Sequence, residues 1–157
     1  MRALTLCNIG LSLRKRNKIS TSLDYFSEAL GILLVNNIKC YLGIVYLNLA
    51  IILSSIGGHA KALEFARKAL NETQTATSAD LATSDNSTQE SSKKSENNNI
   101  NNIYDSGIIN LILSYHILAK EEEFFLNLED ALRHYETAVT ISQKNLGSSN
   151  PLTLTCM

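Results

Sequence analysis

From Ala3 onward, apolar residues recur every three or four positions: Leu6, Ile9, Gly10 and Leu13, then Leu23, Phe26, Ala29 and Leu30. That period places each set on one face of an α-helix. Arg16-Asn17-Lys18 separates the two runs and predicts a tight turn between two antiparallel helices. The pattern then repeats. Residues 3–34 superpose on 43–74 with a shift of 40 and no gap, pairing Leu4 with Ile44, Ile9 with Leu49, Gly10 with Ala50 and Leu13 with Leu53. In the second run Leu23 meets Leu63, Tyr25 meets Phe65, Ala29 meets Ala69 and Leu30 meets Leu70, with Gly57-Gly58 at the break. Gly10, Ala50, Ala29 and Ala69 predict close backbone approach within each helix pair.

A third, less regular copy follows. Its second helix reads Leu128 to Val139, and its first is expected to begin near Ser106 and to carry Asn110, Leu111 and Tyr115. Aligned on Asn8, Asn48 and Asn110, this copy places Ala131 16 positions after Tyr115 where the second places Ala62 9 positions after Leu53. The surplus of 7 is close to two helical turns, so longer helices are expected here, with Phe124, Phe125, Leu126 and Leu128 extending the core. A looped insertion is the alternative. Between the second and third copies, residues 73–103 are dominated by Ser, Thr, Asn, Gln and Asp. Such a segment buries too little apolar surface to offset the entropy of ordering, so a disordered insertion is expected there. The organisation read from the chain is two helix pairs over 3–72, the insertion over 73–103, a third pair over 104–146 and a tail over 147–157.

Composition narrows the chemistry. A net charge of −1 in 157 residues gives no basic excess for neutralising phosphates, which argues against nucleic acid as the partner. Cys7, Cys40 and Cys156 are widely spaced and lack a CxxC pair, as in reduced, intracellular proteins, so a cytoplasmic location is expected. No signal-peptide succession is present, and the apolar run Tyr41 to Ile56 is interrupted by Asn48 and falls short of a membrane span. The sequons at Asn71 and Asn86 are read as chance matches in polar sequence. His59, His116 and His134 are scattered without carboxylates at ligand spacing, so no metal or other cofactor is expected. Glu121-Glu122-Glu123 is read as a solvated helix face, and His134 as a solvent-facing position. No phosphate-binding glycine loop or nucleophile elbow occurs, and the chain is not expected to be an enzyme.

The helix-turn-helix units resemble tetratricopeptide repeats. The first copy supplies Ile9, Gly10, Leu13, Ser22, Phe26 and Ala29; the second Leu49, Ala50, Leu53, Ala62, Ala66 and Ala69; the third Leu111, Ile112, Tyr115, Ala131, Tyr135 and Ala138. Ser22, Ala66 and Ile112 depart from the family pattern. The spacing of 40, with Leu146-Gly147 and Pro151 closing the last helix, is similar to the longer repeats of kinesin-light-chain-type proteins. The resemblance implies an all-α, right-handed solenoid of about three stacked antiparallel helix pairs, whose first helices line a concave groove for partner peptides. Carried over by position, the groove would present Cys7, Asn8, Leu11, Arg14 and Lys15, then Leu47, Asn48, Ile51, Ser54 and Ser55, then Ile109, Asn110, Leu113 and His116. The three asparagines would form a ladder of donors and acceptors for a peptide backbone. Arg14 and Lys15 would meet a carboxylate, although a chaperone-tail clamp would need a lysine where Cys7 stands. The expected function is a protein-interaction scaffold. The alternatives are stacking on further repeats or on itself, for which the start at Ala3 without a capping helix speaks, and, less favoured, an RNA-binding helical array.

Overall fold

The computed structural model describes residues 2–84 and 97–156, with side-chain surroundings for 2–76 and 107–156. The described residues contain no strand and are helical almost throughout. Helices α1 (Arg2–Lys15) and α2 (Ile19–Val35), α3 (Leu42–Ser55) and α4 (His59–Ser84), and α5 (Asn97–Phe124) and α6 (Leu128–Leu146) make three consecutive hairpins. A short α7 (Pro151–Cys156) follows, where the sequence suggested only a tail. Each helix packs on its sequence neighbours, and the first helices also meet side by side, α3 touching both α1 and α5. Among the described residues no helix is long and apolar enough to cross a membrane.

Four helices end in the same turn. The N–H of Lys18 donates to the carbonyl of Leu13 at 3.0 Å, that of Ile38 to Leu33 at 2.9 Å, that of Gly58 to Leu53 at 2.8 Å and that of Asn127 to Glu122 at 2.9 Å. The residue before each donor is left-handed: Asn17 (φ 59°), Asn37 (φ 52°), Gly57 (φ 81°) and Leu126 (φ 62°). Each left-handed residue also donates its own N–H to the carbonyl three residues earlier. The two bonds together satisfy the last carbonyls of a helix, and glycine or asparagine is favoured at the left-handed position because a larger side chain crowds the backbone there. Leu126 breaks that preference, and its side chain is 80% exposed.

Within the hairpins, small residues bring the backbones together. A Cβ on Gly10 would lie 2.9 Å from the ring of Phe26, so the missing side chain of one supplies the space for the other. Ser22 fastens the same pair by donating its hydroxyl to the Gly10 carbonyl at 2.7 Å. The second hairpin fills the equivalent volume differently, with buried Ala50 opposite buried Ala66. Most of α3 is buried because α1, α2, α4 and α5 all pack around it. Fully buried side chains such as Phe26, Leu33 and Ile52 each contribute about 1.5–3 kcal/mol of apolar transfer.

The left-handed residues fix how the third hairpin aligns with the others. Counting seven positions back from Asn17, Gly57 and Leu126 gives Gly10, Ala50 and Ala119, all buried. Five positions forward gives Ser22, Ala62 and Ala131, and twelve forward gives Ala29, Ala69 and Ala138, again all buried. Tyr46 stacks on Phe65 with centroids 5.8 Å apart, and the equivalent Tyr115 and His134 are also 5.8 Å apart. The third hairpin therefore has the same length from small residue to small residue as the first two. The extra residues expected between Tyr115 and Ala131 do not exist as an elongation of the hairpin; α5 is long because it extends upstream, to Asn97. Phe124, Phe125, Leu126 and Leu128 accordingly sit at the turn and are exposed, and they do not extend the core.

Two boundaries also move. Thr73 belongs to α4, is buried, and donates its hydroxyl to the Ala69 carbonyl at 2.9 Å. It fills the place opposite Gly43, where an added Cβ would lie 2.9 Å from its methyl group. Of the insertion expected over 73–103, residues 85–96 lie outside the described residues, while 73–84 continue α4 and 97–103 open α5. At the other end α6 stops at Gly147 (φ 86°), and Pro151 opens α7 instead of closing α6. The Asn150 side chain accepts the N–H of Leu152 at 2.9 Å, and Thr153 and Cys156 are buried. Proline suits the first position of a helix, where its missing N–H costs nothing.

Candidate partner-binding face

With the hairpins aligned on their turns, three rows of side chains run across the adjacent first helices. Six positions before the turn residue stand Leu11, Ile51 and Lys120; three before stand Arg14, Ser54 and Glu123; two before stand Lys15, Ser55 and Phe124. Leu11 and Ile51 are half-buried against the core, while Lys120, Lys15, Ser55 and Phe124 are exposed. Arg14 is half-buried and has no carboxylate partner among the described residues, and partial burial pulls its pKa below the ordinary guanidinium value. Ser54 is buried, and its hydroxyl finds no hydrogen-bond partner among the described residues.

The structure redistributes the residues expected to line a groove. Asn8 is exposed on α1. Asn48 is buried and donates to the Ile44 carbonyl of its own helix at 2.8 Å, so it braces α3 and does not reach outward. Asn110 is half-buried and lies seven residues upstream of the position matching Asn8 and Asn48, which is held by buried Ile117. The asparagine ladder is thus not formed. Cys7 and Leu47 are likewise buried in the helix–helix contacts, and burial pushes the Cys7 thiol pKa up. Ile109 and Leu113 are half-buried on the upstream part of α5, and His116 occupies the place of Cys7 and Leu47. In the first two units Asn8, Leu11, Arg14, Lys15, Ile51 and Ser55 remain as the accessible part of the expected set. Lys120, Glu123 and Phe124 were missed, because the third copy was aligned on Asn110 and Tyr115. The spacing of 12 from Ala119 to Ala131, the same as from Gly10 to Ser22 and Ala50 to Ala62, is the sequence signal that identifies them.

The same alignment explains a polar cluster under the third unit. Glu121 and Glu122 occupy the core positions of Ile52 and Leu53, and they are 0% and 3% exposed. They are not a solvated face. A buried carboxylate needs partners, and histidines supply them: His59 Nδ1 lies 2.8 Å from Glu121 Oε2, and His134 Nδ1 lies 2.6 Å from Glu122 Oε2. His134 is therefore turned inward, at the position of Phe65. Arg67 approaches Glu122 at 3.9 Å. Glu121 Oε1 is buried with no hydrogen-bond partner among the described residues. Tyr135 donates to Glu123 Oε2 at 3.0 Å, and its pKa is pushed up to about 12 by burial and then by that carboxylate. His116 meets Tyr135 edge-on at 5.5 Å, and burial followed by the nearby Lys120 lowers its pKa. His59 stacks on Phe124 with centroids 3.6 Å apart, and an open cavity of about 350 Å³ lies between His59, Lys120, Glu121, Glu123 and Phe124. Among the described residues no three His, Cys, Asp or Glu side chains are arranged to ligate a metal. Compared with known proteins, the chain matches no family model and no curated sequence.

Proposed function

We propose that the chain is a tetratricopeptide-like solenoid of three helix pairs acting as a non-enzymatic scaffold, with a partner segment lying across α1, α3 and α5. The observation that carries this reading is the row of equivalent positions on adjacent first helices. Leu11 and Ile51 offer apolar area beside exposed Lys15, Ser55 and Phe124, and Arg14 has no carboxylate of its own among the described residues. An unpaired, partly desolvated guanidinium gains from an incoming carboxylate. Affinity capture with the wild-type chain, set beside Ile51→Asp and Arg14→Glu, tests it. The two variants lose the captured protein while circular dichroism stays helical; retention by both rejects the face.

A second reading, stacking of another hairpin or a second copy against α1, draws on Ile9, which is 38% exposed where its equivalent Leu49 is 2% exposed. Repeats bury such positions with their neighbours. Light scattering across a concentration series that returns a constant monomer mass rules out the second copy.

A further inference from the structure

The three units carry different charges at the same repeat position. Three residues before the turn the row reads Arg14, Ser54, Glu123: cation, neutral hydroxyl, anion. The adjoining row reinforces it, with Lys15 at one end, Ser55 in the middle and the aromatic Phe124 at the other. Lys120 lines the same cavity and offsets part of the negative end, where Glu121 and Glu123 both border it; Glu122 is buried against His134 and does not belong to the face. At that end Glu121, with a buried and unpartnered Oε1, borders the cavity of about 350 Å³, and the exposed ring of Phe124 forms another wall. The face is thus positive over α1 and negative with an aromatic wall over α5.

We infer that the segment received by this face is dipolar, with an acidic side chain over Arg14 and Lys15 and a lysine or arginine over Glu123 and Phe124. The inference rests on the scaffold reading and specifies its partner. Complementary charge fixes the register of a bound segment and disfavours uniform ones. One face of the Phe124 ring is covered by His59, and the basic side chain enters the cavity beside that ring, where it gains from the carboxylates of Glu121 and Glu123. Neighbouring helix axes stand roughly 8–10 Å apart, which puts Arg14 and Glu123 on the order of 20 Å from each other. An extended chain covers that in about six residues.

Three fluorescein-labelled twelve-residue peptides test this, each with Leu and Ala between two charged sites six residues apart: Glu with Lys, Glu with Glu, and Lys with Lys. Fluorescence polarisation is expected to show the mixed peptide binding at least about threefold more tightly than either uniform one at low salt, with the preference shrinking at 0.5 M NaCl. Arg14→Glu moves the preference to the Lys–Lys peptide and Glu123→Lys moves it to the Glu–Glu peptide. Equal binding of all three, with loss in Ile51→Asp, overturns the dipolar partner and leaves the scaffold reading standing. No saturable binding of any peptide up to 1 mM, or binding indifferent to Ile51→Asp, removes both. A concentration-dependent dimer that Arg14→Glu dissolves assigns the face to a second copy and overturns the inference.

Discussion

The second and third hairpins share one geometry and fill it with opposite chemistry. Behind the turn of the second stand Ile52 and Leu53, faced by Phe65; behind the turn of the third stand Glu121 and Glu122, faced by His134. Both sets are buried. Position in the repeat decides burial, and the chain answers the cost of two buried carboxylates by placing His59 and His134 within hydrogen-bond distance of them. The lesson concerns hierarchy: backbone packing, set by Ala119, Ala131 and Ala138, is strong enough to carry polar groups inward when each finds a partner.

The largest expected effect breaks that arrangement directly. His59→Ala leaves both Glu121 oxygens without a hydrogen-bond partner among the described residues, and removing one member of a buried pair costs about 3 kcal/mol. Urea denaturation should show the midpoint falling with the slope unchanged. Phe65→Ala, at the place that His134 holds in the third hairpin, deletes apolar contact without orphaning a buried carboxyl group. If His59→Ala proves as mild as a surface substitution, the pair is not holding Glu121.

The reverse change sharpens the comparison. Glu121→Ile gives the third hairpin the residue that the second already uses at that place. Replacing the polar member of a buried hydrogen-bonded pair by a well-packed apolar side chain is often stabilising, here by about 1–2 kcal/mol. A rise in the denaturation midpoint is the expected result, and a fall would mean that the site's shape differs from that around Ile52. The proposed partner face predicts a cost elsewhere, since Glu121 borders the cavity beside Phe124.

The difference between the two hairpins also shows what could be read from the sequence. The helix pairs of the first two units were legible, because apolar period, small residues and Gly57-Gly58 all agree, although the side chains expected to face outward were not all so placed. The third was legible in its second helix, where Ala131, Tyr135 and Ala138 keep the pattern. Its first helix was misread because Glu121 and Glu122 stand where the pattern expects apolar residues, and Leu126 stands where the turn expects glycine or asparagine. An alignment that scores hydrophobicity slides upstream to Asn110 and Tyr115 under those conditions. Only the constant interval between small residues survives, since close approach of two backbones tolerates no substitute for small size. The groove was misplaced for the same reason, by seven residues in the third unit and by burial at Asn48.

Leu126 itself allows a smaller test. Asn17 and Gly57 hold the same left-handed turn in the other hairpins, and Leu126→Gly would make the third like the second. Relief of the left-handed strain is worth about 1 kcal/mol before the greater freedom of glycine in the unfolded chain is subtracted. With 80% of the side chain in solvent, little packing is lost. With about half of that gain offset, the thermal midpoint should rise by about 1–2 °C for a chain of this size. An unchanged or lower midpoint would show that Leu126 is held by contacts its exposure does not reveal.

The smallest effect is a pH dependence confined to alkaline conditions. Tyr135 replaces Phe26 of the first hairpin and Ala66 of the second, and its hydroxyl donates to Glu123. Burial and that carboxylate disfavour the phenolate, so the folded pKa is raised to about 12 from the ordinary 10.0. Between those values the unfolded chain has lost a proton that the folded chain keeps. The stabilisation is present in full below pH 10 and is lost as pH rises toward about 12. Tyr135→Phe removes this slope while keeping the ring that the first hairpin uses, so the difference in stability between variant and wild type should narrow from pH 10 upward. Parallel curves for the two proteins through that range would mean that Tyr135 titrates as an exposed phenol, and that its bond to Glu123 does not form in solution.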